Sequence, residues 1–426
     1  MYINNIYYIH LMLSIDLSEF IHQHVFDYNF KENIPKLKRK FWTNKQNDKK
    51  YMVVNYDKQF INESKQTIDN NLGLLRSVVL NDKSEILSYS PPSSFNLGGD
   101  NCRNLSNLVK QEHLPFPLYA QEFIDGTMVN LFWDGDDWEI STTKCVSGNI
   151  GFYVQKYPKT FREMFFEICE EINLDLNLFL KSINGNRLSY SFVIRHTDNR
   201  IIAPVLQNDL YLINVYEISQ DDQYIHIFPH HPQANTFPEF YTDILPKTKI
   251  KLPKTYQNIN DIDALKTISQ HYSSTLYSIK GIVLNDLCDN TRYKIKNSTY
   301  DYVSTLKGNQ PKSQYRFLEL NQQNKLLEYY KYFPECISEF GEYVKQLHNV
   351  IKRLYNLYVE CHIKHTIQHS SCSYEYKPHI YHLHGMYLKN KQKITLESVR
   401  TYFSNLPPQV QLFVINFNKR VRNLPG

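Results

Sequence analysis

Residues 122–127 read Glu-Phe-Ile-Asp-Gly-Thr, inside a region of short β-branched and aromatic runs separated by Asn, Asp, Gly and Pro. This texture, from about Leu74 to Lys296, predicts strands joined by turns. Asp134 to Asp137, around Gly135, has the chemistry of a hairpin turn. Apolar residues at helical spacing predict one helix from Phe161 to Ile172. The predicted strands are Leu74–Leu80, Met128–Trp133, Trp138–Thr142, Ser189–Arg195, Leu210–Glu217 and Ile279–Leu284.

Five further short motifs surround residues 122–127. Each is short enough to occur by chance, so their order and spacing carry the information. In chain order they are Ser90–Asn96 (Ser-Pro-Pro-Ser-Ser-Phe-Asn), Ser141–Lys144 (Ser-Thr-Thr-Lys), Ser191–Ile201 (Ser-Phe-Val-Ile-Arg-His-Thr-Asp-Asn-Arg-Ile), Lys280–Val283 (Lys-Gly-Ile-Val) and Tyr293–Lys296 (Tyr-Lys-Ile-Lys).

Taken in this order, the motifs resemble those of the covalent nucleotidyltransferases, in particular the phage-type RNA ligase 1 family and its relatives in large DNA viruses. The resemblance spans roughly Leu74 to Asn309. In that family the lysine of a KxDG motif attacks the α-phosphate of ATP and forms a lysyl-AMP. The AMP then passes to an RNA 5′-phosphate, and a 3′-hydroxyl displaces it.

Three positions depart from the family pattern. Phe123 stands where the nucleophilic lysine should be, and phenylalanine cannot form a phosphoramidate. Lys280 stands where the family has a metal-holding glutamate, and a cation there would repel a metal ion. Ser93 stands where a lysine is usual. We therefore expect a degenerate site with no catalytic residue and no metal ligand.

The resemblance also implies which residues bind nucleotide or RNA. Phe192, together with Phe123, is expected to pack a base or to fill the empty AMP pocket. Basic side chains of the retained motifs are expected to hold phosphates. The full predicted set is Asp125, Gly126, Lys144, Phe192, Arg195, Asn199, Arg200, Lys280, Lys294 and Lys296.

The length of 426 residues exceeds one typical domain. The resemblance implies an α+β class: a nucleotidyltransferase domain of ATP-grasp-like antiparallel sheets at residues 71–310, then an all-helical domain at 311–426. Residues 1–70 are expected to be an N-terminal extension packed on the core. After Leu306 the pattern becomes helical, notably from Phe317 to Lys331 and from Ile337 to Lys364.

Composition narrows the setting. Seven cysteines without a CxxC motif fit a reducing compartment, so a cytoplasmic location is expected. A formal net charge of +5 permits a phosphate-bearing partner without requiring one. Neither a signal peptide nor a membrane partner is indicated. The abundance of Asn, Lys, Ile, Phe and Tyr suggests an AT-rich gene, as in some viruses and linear plasmids.

Together these observations predict an RNA-binding pseudo-ligase that grips RNA ends or anticodon-type loops, with transfer RNA as the expected partner. By analogy with the family, it would be an immunity protein that shields RNA from a ribonuclease toxin. Two alternatives stay open: sealing of RNA that already carries a 5′-adenylate, and an active ligase in which Lys144, Lys156 or Lys280 is a displaced nucleophile. ATP and Mg²⁺ would be cofactors only if ligase activity remains. A pure scaffold for a protein partner would instead have no affinity for nucleic acid.

Overall fold

Three β-sheets are present in the described part of the chain, all in the first of two compact units, Met1–Ser304 and Thr305–Gly426. The computed structural model describes residues 14–44, 47–60, 71–96, 118–151, 159–231, 237, 239–259, 267, 270–271, 276–285 and 291–422. The strands are β1 (Ile15–Asp16), β2 (Leu37–Thr43), β3 (Lys50–Tyr56), β4 (Val78–Asn81), β5 (Ile86–Tyr89), β6 (Ser94–Asn96), β7 (Leu118–Glu122), β8 (Thr127–Trp133), β9 (Trp138–Thr142), β10 (Cys145–Val146), β11 (Ser182–Ile183), β12 (Asn186–Arg195), β13 (Asp209–Gln220), β14 (Ile225–His230), β15 (Thr255–Ile259), β16 (Gly281–Asn285) and β17 (Arg292–Lys296).

The largest sheet has the spatial order β1-β14-β13-β12-β8-β9-β10, with β11 paired to β12. A second sheet has the order β15-β7-β16-β17-β6, and a third has the order β2-β3-β4-β5. All pairings are antiparallel except that of β17 with β6, which is parallel. Strands that lie before residue 60 belong to the first and third sheets. The expected division of the chain into domains at residues 70 and 310 stays a prediction.

The predicted hairpin between β8 and β9 is confirmed. Asp134 Oδ1 accepts hydrogen bonds from the backbone N–H groups of Asp136 at 2.9 Å and Asp137 at 3.0 Å. Gly135 has φ of +112°, a conformation that costs glycine little because it lacks a Cβ. This turn sets the register in which Trp133 faces Trp138.

The predicted helix within the sheet region is also confirmed, as α1 (Phe161–Glu171). The Thr160 hydroxyl accepts the backbone N–H of Glu163 at 3.2 Å, and the Glu163 carboxylate accepts the N–H of Thr160 at 2.6 Å. This capping box satisfies two N–H groups that the first turn leaves unpaired. The apolar face of α1, including Phe165, packs in one buried cluster with residues of β8, β9, β12 and β13.

The second unit is helical, so the predicted α+β class with a helical C-terminal region is confirmed. The predicted helical run from Phe317 to Lys331 is interrupted, because Asn324 has φ of +57° and breaks the backbone hydrogen-bond ladder. No helix in the described ranges is both long enough and apolar enough to cross a membrane. The helices after α1 are α2 (Ser298–Lys307), α3 (Ser313–Gln322), α4 (Leu326–Tyr332), α5 (Ile337–His362), α6 (Lys377–Asn390), α7 (Leu396–Ser404) and α8 (Pro408–Arg422).

Candidate functional site

A cavity of about 550 Å³ lies within the first unit, and strands of all three sheets contribute to its lining. Its size is within the usual range for sites that hold a small molecule. Two carboxylates, Asp57 and Glu122, line it. Seven cationic side chains line it as well: Lys38, Lys58, Arg76, Lys144, Lys280, Arg292 and Lys294. The excess of cations favours an anionic ligand.

Phe123 lines this cavity just after β7 ends. Its backbone N–H donates to the carbonyl oxygen of Gly281 at 2.8 Å, which holds the turn against β16. Gly126 ends the turn where the chain approaches β12 closely. A Cβ at Gly126 would overlap the carbonyl oxygen of Ile194 and come within 2.6 Å of Val193 Cγ1. Glycine is therefore required at position 126 by packing.

Asp125 is buried, and its carboxylate accepts hydrogen bonds from groups within the protein. Asp125 Oδ2 accepts the backbone N–H groups of Ile202 and Ala203, each at 2.9 Å. Asp125 Oδ1 accepts the Tyr300 hydroxyl at 2.5 Å, and burial together with this carboxylate raises the pKa of Tyr300. These bonds tie the turn to the segment after β12 and to α2. The expectation that Asp125 contacts a ligand is not what this geometry favours.

Lys280 lies beside the aromatic ring of Phe123. Its Nζ is 4.2 Å from the centre of the Phe123 ring and 3.7 Å from Asp125 Oδ1. The side chain is only 22% exposed. Burial lowers the pKa of Lys280; Asp125 opposes that shift, and the nearby Arg76 and Lys294 add to it. A lysine in this setting loses its charge more readily than one in water.

Arg292 lines the same cavity and is 9% exposed. Its Nε donates to Asn285 Oδ1 at 3.0 Å, and its Nη1 donates to the carbonyl oxygen of Pro92 at 3.1 Å. Burial lowers the pKa of Arg292 to about 10, and Arg76 adds to this shift. Among the described residues no carboxylate lies within ion-pair distance of Arg292.

The residues at the cavity do not suit a divalent metal ion. The carboxylate of Asp57 is paired with Lys38 at 2.8 Å, and this partner lowers the pKa of Asp57. Within the described ranges, no group of three or more His, Cys, Asp or Glu side chains is placed to hold a metal ion. Hard divalent cations need several oxygen ligands, whereas seven cationic side chains line the cavity with Asp57 and Glu122.

No protein-family model matches the sequence. Over 174 residues the chain is 27% identical to a protein described as an RNA ligase of Rhodothermus phage RM378, and the match covers 36% of this chain and 39% of that protein. Over that stretch the chain is similar in sequence to an RNA ligase. It spans about two fifths of the length of this curated relative.

Solved structures of an RNA ligase from Naegleria gruberi also match. The form with PPi is 13% identical, with a TM-score of 0.33, over 50% of this chain and 64% of that one. A mutant with ATP and Mn is 11% identical, with a TM-score of 0.33, over 69% of this chain and 82% of that one. The similarity in sequence to an RNA ligase is the match to the phage protein.

Four of the ten residues predicted from the RNA ligase motifs line the cavity: Gly126, Lys144, Lys280 and Lys294. Two of the departures from the RNA ligase pattern, Ser93 and Phe123, line it as well. The Ser93 hydroxyl accepts the Tyr56 hydroxyl at 3.3 Å. Lys156, one of the displaced lysines considered above, lies outside the described residues.

The other predicted residues do not line the cavity, and Phe192 needs correction. Phe192 is fully buried, with its ring centre 6.1 Å from that of Phe165 on α1, so it packs the core and not a base. Because side chains alternate along a strand, the neighbouring Val193 faces the cavity instead. Lys296 is 3.4 Å from Asp301 and does not reach the lining.

Three of the predicted residues that follow Phe192 in the sequence make hydrogen bonds within the protein around the end of β12. Arg195 donates to the carbonyl oxygen of Pro204 at 2.8 Å. Arg200 donates to the carbonyl oxygen of Ile202 at 3.1 Å. Asn199 donates to the Thr127 hydroxyl at 3.0 Å. These three side chains therefore support the backbone around the end of β12.

Sequence reasoning missed Lys38, Lys58, Arg76 and Arg292. A signal for Arg292 was available, because Arg292, Lys294 and Lys296 alternate along one strand and so share a face. For Arg76, Lys38 and Lys58 the only signal was their charge. They come to the cavity through pairings between distant parts of the chain.

Proposed function

We propose that this chain is an RNA-binding relative of the RNA ligases that grips phosphate-bearing RNA ends without forming a lysyl-AMP at the family's position. The observation that carries the proposal is the pair of Phe123 and Lys280 in a cavity lined by seven cationic side chains. The Lys280 Nζ is 4.2 Å from the centre of the Phe123 ring. A phenyl ring offers no amine to a phosphorus atom. The cations are suited to holding phosphates, since charge-assisted hydrogen bonds to phosphate are strong.

The narrower part of the proposal concerns the partner. Transfer RNA with an intact or cleaved anticodon loop is the expected RNA, and protection from a ribonuclease is the expected role. The composition of an AT-rich gene and the altered motifs motivate this part. It predicts that the protein slows cleavage of transfer RNA by an anticodon nuclease at concentrations where it binds that RNA.

A second candidate is an active ligase that uses Lys280 as the displaced nucleophile. Two observations favour it: Lys280 lies against the ring at the family's lysine position, and its pKa is lowered by burial and by neighbouring cations. A lysine becomes nucleophilic when it is neutral near physiological pH. Sealing of RNA that already carries a 5′-adenylate is a further possibility, since it needs no lysine nucleophile.

One labelling experiment separates these readings. The purified protein is incubated with radiolabelled ATP and Mg²⁺, and in parallel with 5′-adenylylated RNA and an acceptor with a 3′-hydroxyl. The proposal predicts neither a protein adduct nor joined RNA. An adduct that Lys280→Met abolishes and Lys83→Met leaves intact would establish the displaced nucleophile. Joining of only the adenylylated RNA would establish a partial ligase.

RNA binding is measured on the same preparation. Lys144→Ala combined with Lys294→Ala should weaken binding about tenfold or more, because each removes a cation that lines the cavity. Lys83→Ala is the matched control, since Lys83 is exposed on the turn between β4 and β5 and lies outside this cavity. Equal binding by the double variant and the control would show that RNA is not held in the cavity.

A further inference from the structure

We infer that Arg292 is the anchor for a terminal phosphate at the inner wall of the cavity, and that Arg292 and Lys280 supply the positive charge that a divalent metal ion would otherwise bring. The ligand class is a phosphate monoester on a nucleoside, either the 5′-phosphate end of an RNA or a free mononucleotide. This inference rests on the proposed function and makes it more specific, since RNA binding alone requires no preference for an end.

The first observation is the uncompensated charge of Arg292. A guanidinium presents five N–H donors. Two are accounted for by Asn285 and Pro92, both neutral acceptors, and in the described part of the chain no acceptor is paired with Nη2. A buried charge without an opposing charge costs free energy, and an anion bound in the cavity would remove that cost.

The second observation is how firmly the Arg292 side chain is oriented. Asn285 faces Arg292 across the β16–β17 pair, and Ser94 faces it from the parallel strand β6. The hydrogen bonds to Asn285 and to Pro92 fix the guanidinium from two sides. A guanidinium fixed in this way is ready to bind two phosphate oxygens at once.

The third observation is the position of the other cations and the burial of the site. Lys280 and Lys294 line the same cavity, so a phosphate bound there lies in a field of several positive charges. Arg292 is 9% exposed, so a ligand reaches it through the cavity and not from open solvent. A chain end or a mononucleotide fits this geometry better than an internal phosphodiester, and its monoester carries more negative charge.

The test compares one short RNA with a 5′-phosphate and with a 5′-hydroxyl, by fluorescence polarisation, in EDTA and in Mg²⁺. The expected result is a preference of about ten- to a hundredfold for the 5′-phosphate, the same in both buffers. Arg292→Gln should weaken binding of the 5′-phosphate RNA more than binding of the 5′-hydroxyl RNA, and so remove the preference. Arg292→Lys should restore part of it. Arg187→Gln is the matched control, because Arg187 pairs with Glu85 and lies outside this cavity.

A thermal melt of the wild-type protein provides a second measurement that needs no variant. Inorganic phosphate and AMP should each raise Tm above that in chloride of equal ionic strength, since a ligand that binds only the folded state stabilises it. A rise with AMP but no preference for 5′-phosphate RNA would identify a free nucleotide as the ligand.

Equal binding of both RNA ends, with no rise in Tm from phosphate or AMP, would overturn the inference and leave the proposed RNA binding intact. Stabilisation by phosphate without any RNA binding would overturn the proposed function and keep the anchor. A preference that disappears in EDTA would show that a metal ion, and not Lys280 with Arg292, supplies the charge.

Discussion

Replacing Phe123 with lysine should destabilise the protein, because the new ammonium would lie beside Lys280. The Lys280 Nζ is 4.2 Å from the centre of the Phe123 ring. Two unit charges about 4 Å apart repel by about 4 kcal/mol at an effective dielectric constant of about 20. The Lys280 side chain is 22% exposed, and its attraction to the Phe123 ring, worth about 0.5–2 kcal/mol, would also be lost. Because this partial exposure lets water screen part of the repulsion, we expect Phe123→Lys to lower the free energy of unfolding by about 2–4 kcal/mol, less than the sum of the two terms.

The second substitution, Lys280→Glu, should reverse the sign of this interaction. In the double variant Phe123→Lys with Lys280→Glu, an ammonium faces a carboxylate, so the repulsion becomes an attraction. The double variant should therefore be more stable than the Phe123→Lys variant. Lys280→Glu alone should be destabilising, since its carboxylate would lie near Asp125 Oδ1, which is 3.7 Å from Lys280 Nζ.

The assay is denaturant unfolding of the wild-type protein, both single variants and the double variant, followed by radiolabelling of all four with ATP. The four free energies give the coupling between positions 123 and 280 without requiring either single effect to be assigned. We expect a favourable coupling of about 2 kcal/mol or more. Additive effects, with no coupling beyond about 0.5 kcal/mol, would refute the reasoning that these side chains face each other.

Three further predictions concern packing, pH and oxidation. Gly126→Ala should lower the free energy of unfolding by about 1–3 kcal/mol through overpacking. Gly341→Ala, in α5, should raise it by up to about 1 kcal/mol, because an added Cβ there would meet no neighbouring atom within 4 Å. Urea unfolding measures both variants, and equal effects would contradict the close contacts of Gly126. The folded state lowers the pKa of Lys280, so at pH values between that lowered pKa and the ordinary lysine pKa the protein takes up a proton when it unfolds. Stability should therefore rise with pH across this window, and Lys280→Met should flatten the rise in thermal melts at several pH values. An unchanged slope in the variant would contradict the lowered pKa. The Cys361 and Cys372 sulfur atoms are 3.3 Å apart, so mild oxidation should join them in a disulfide with the loss of two hydrogen atoms. Thiol titration and mass spectrometry measure the loss. If the thiols of Cys361 and Cys372 both remain titratable after oxidation, the pairing is refuted.

The parts of the fold that the sequence predicted well are those governed by local patterns. Short β-branched and aromatic runs placed β8 and β9, and Asp134 with Gly135 marked the turn between them. The apolar spacing placed α1 to within one residue of its observed end. These features depend on neighbours a few residues apart, so the chain's local chemistry determines them.

The motif order also predicted part of the cavity, but it did not predict which way side chains face. Phe192 and Val193 belong to one motif, and the structure directs Val193 to the cavity and Phe192 to the core. A register shift between Ser191 and Phe192 in the pairing with β13 adds to the difficulty, since a shift of one residue exchanges the two faces of a strand. A resemblance between motifs predicts which segments lie near a site. The pleat of the sheet then determines which side chains of those segments face it.

Arg292 was missed for a different reason. Its charge was visible, but its burial depends on Pro92, which lies 200 residues earlier in the chain, and on the parallel pairing of β17 with β6. No local pattern reports such a contact. The same holds for Arg76, which lowers the pKa of both Arg292 and Lys280 and lies far from them in the sequence.

The two departures at Phe123 and Lys280 are physically linked. A lysine at position 123 would repel Lys280, whereas an aromatic ring attracts a cation held over its face. Phenylalanine at 123 therefore makes a lysine at 280 tolerable, and Lys280 in turn keeps the cavity cationic. Transfer of a nucleotidyl group needs a nucleophile, and it needs groups that stabilise the charge that forms in the transition state. Retention of a phosphate needs only fixed cations in a partly enclosed site, which is the role that we propose for Arg292 and Lys280.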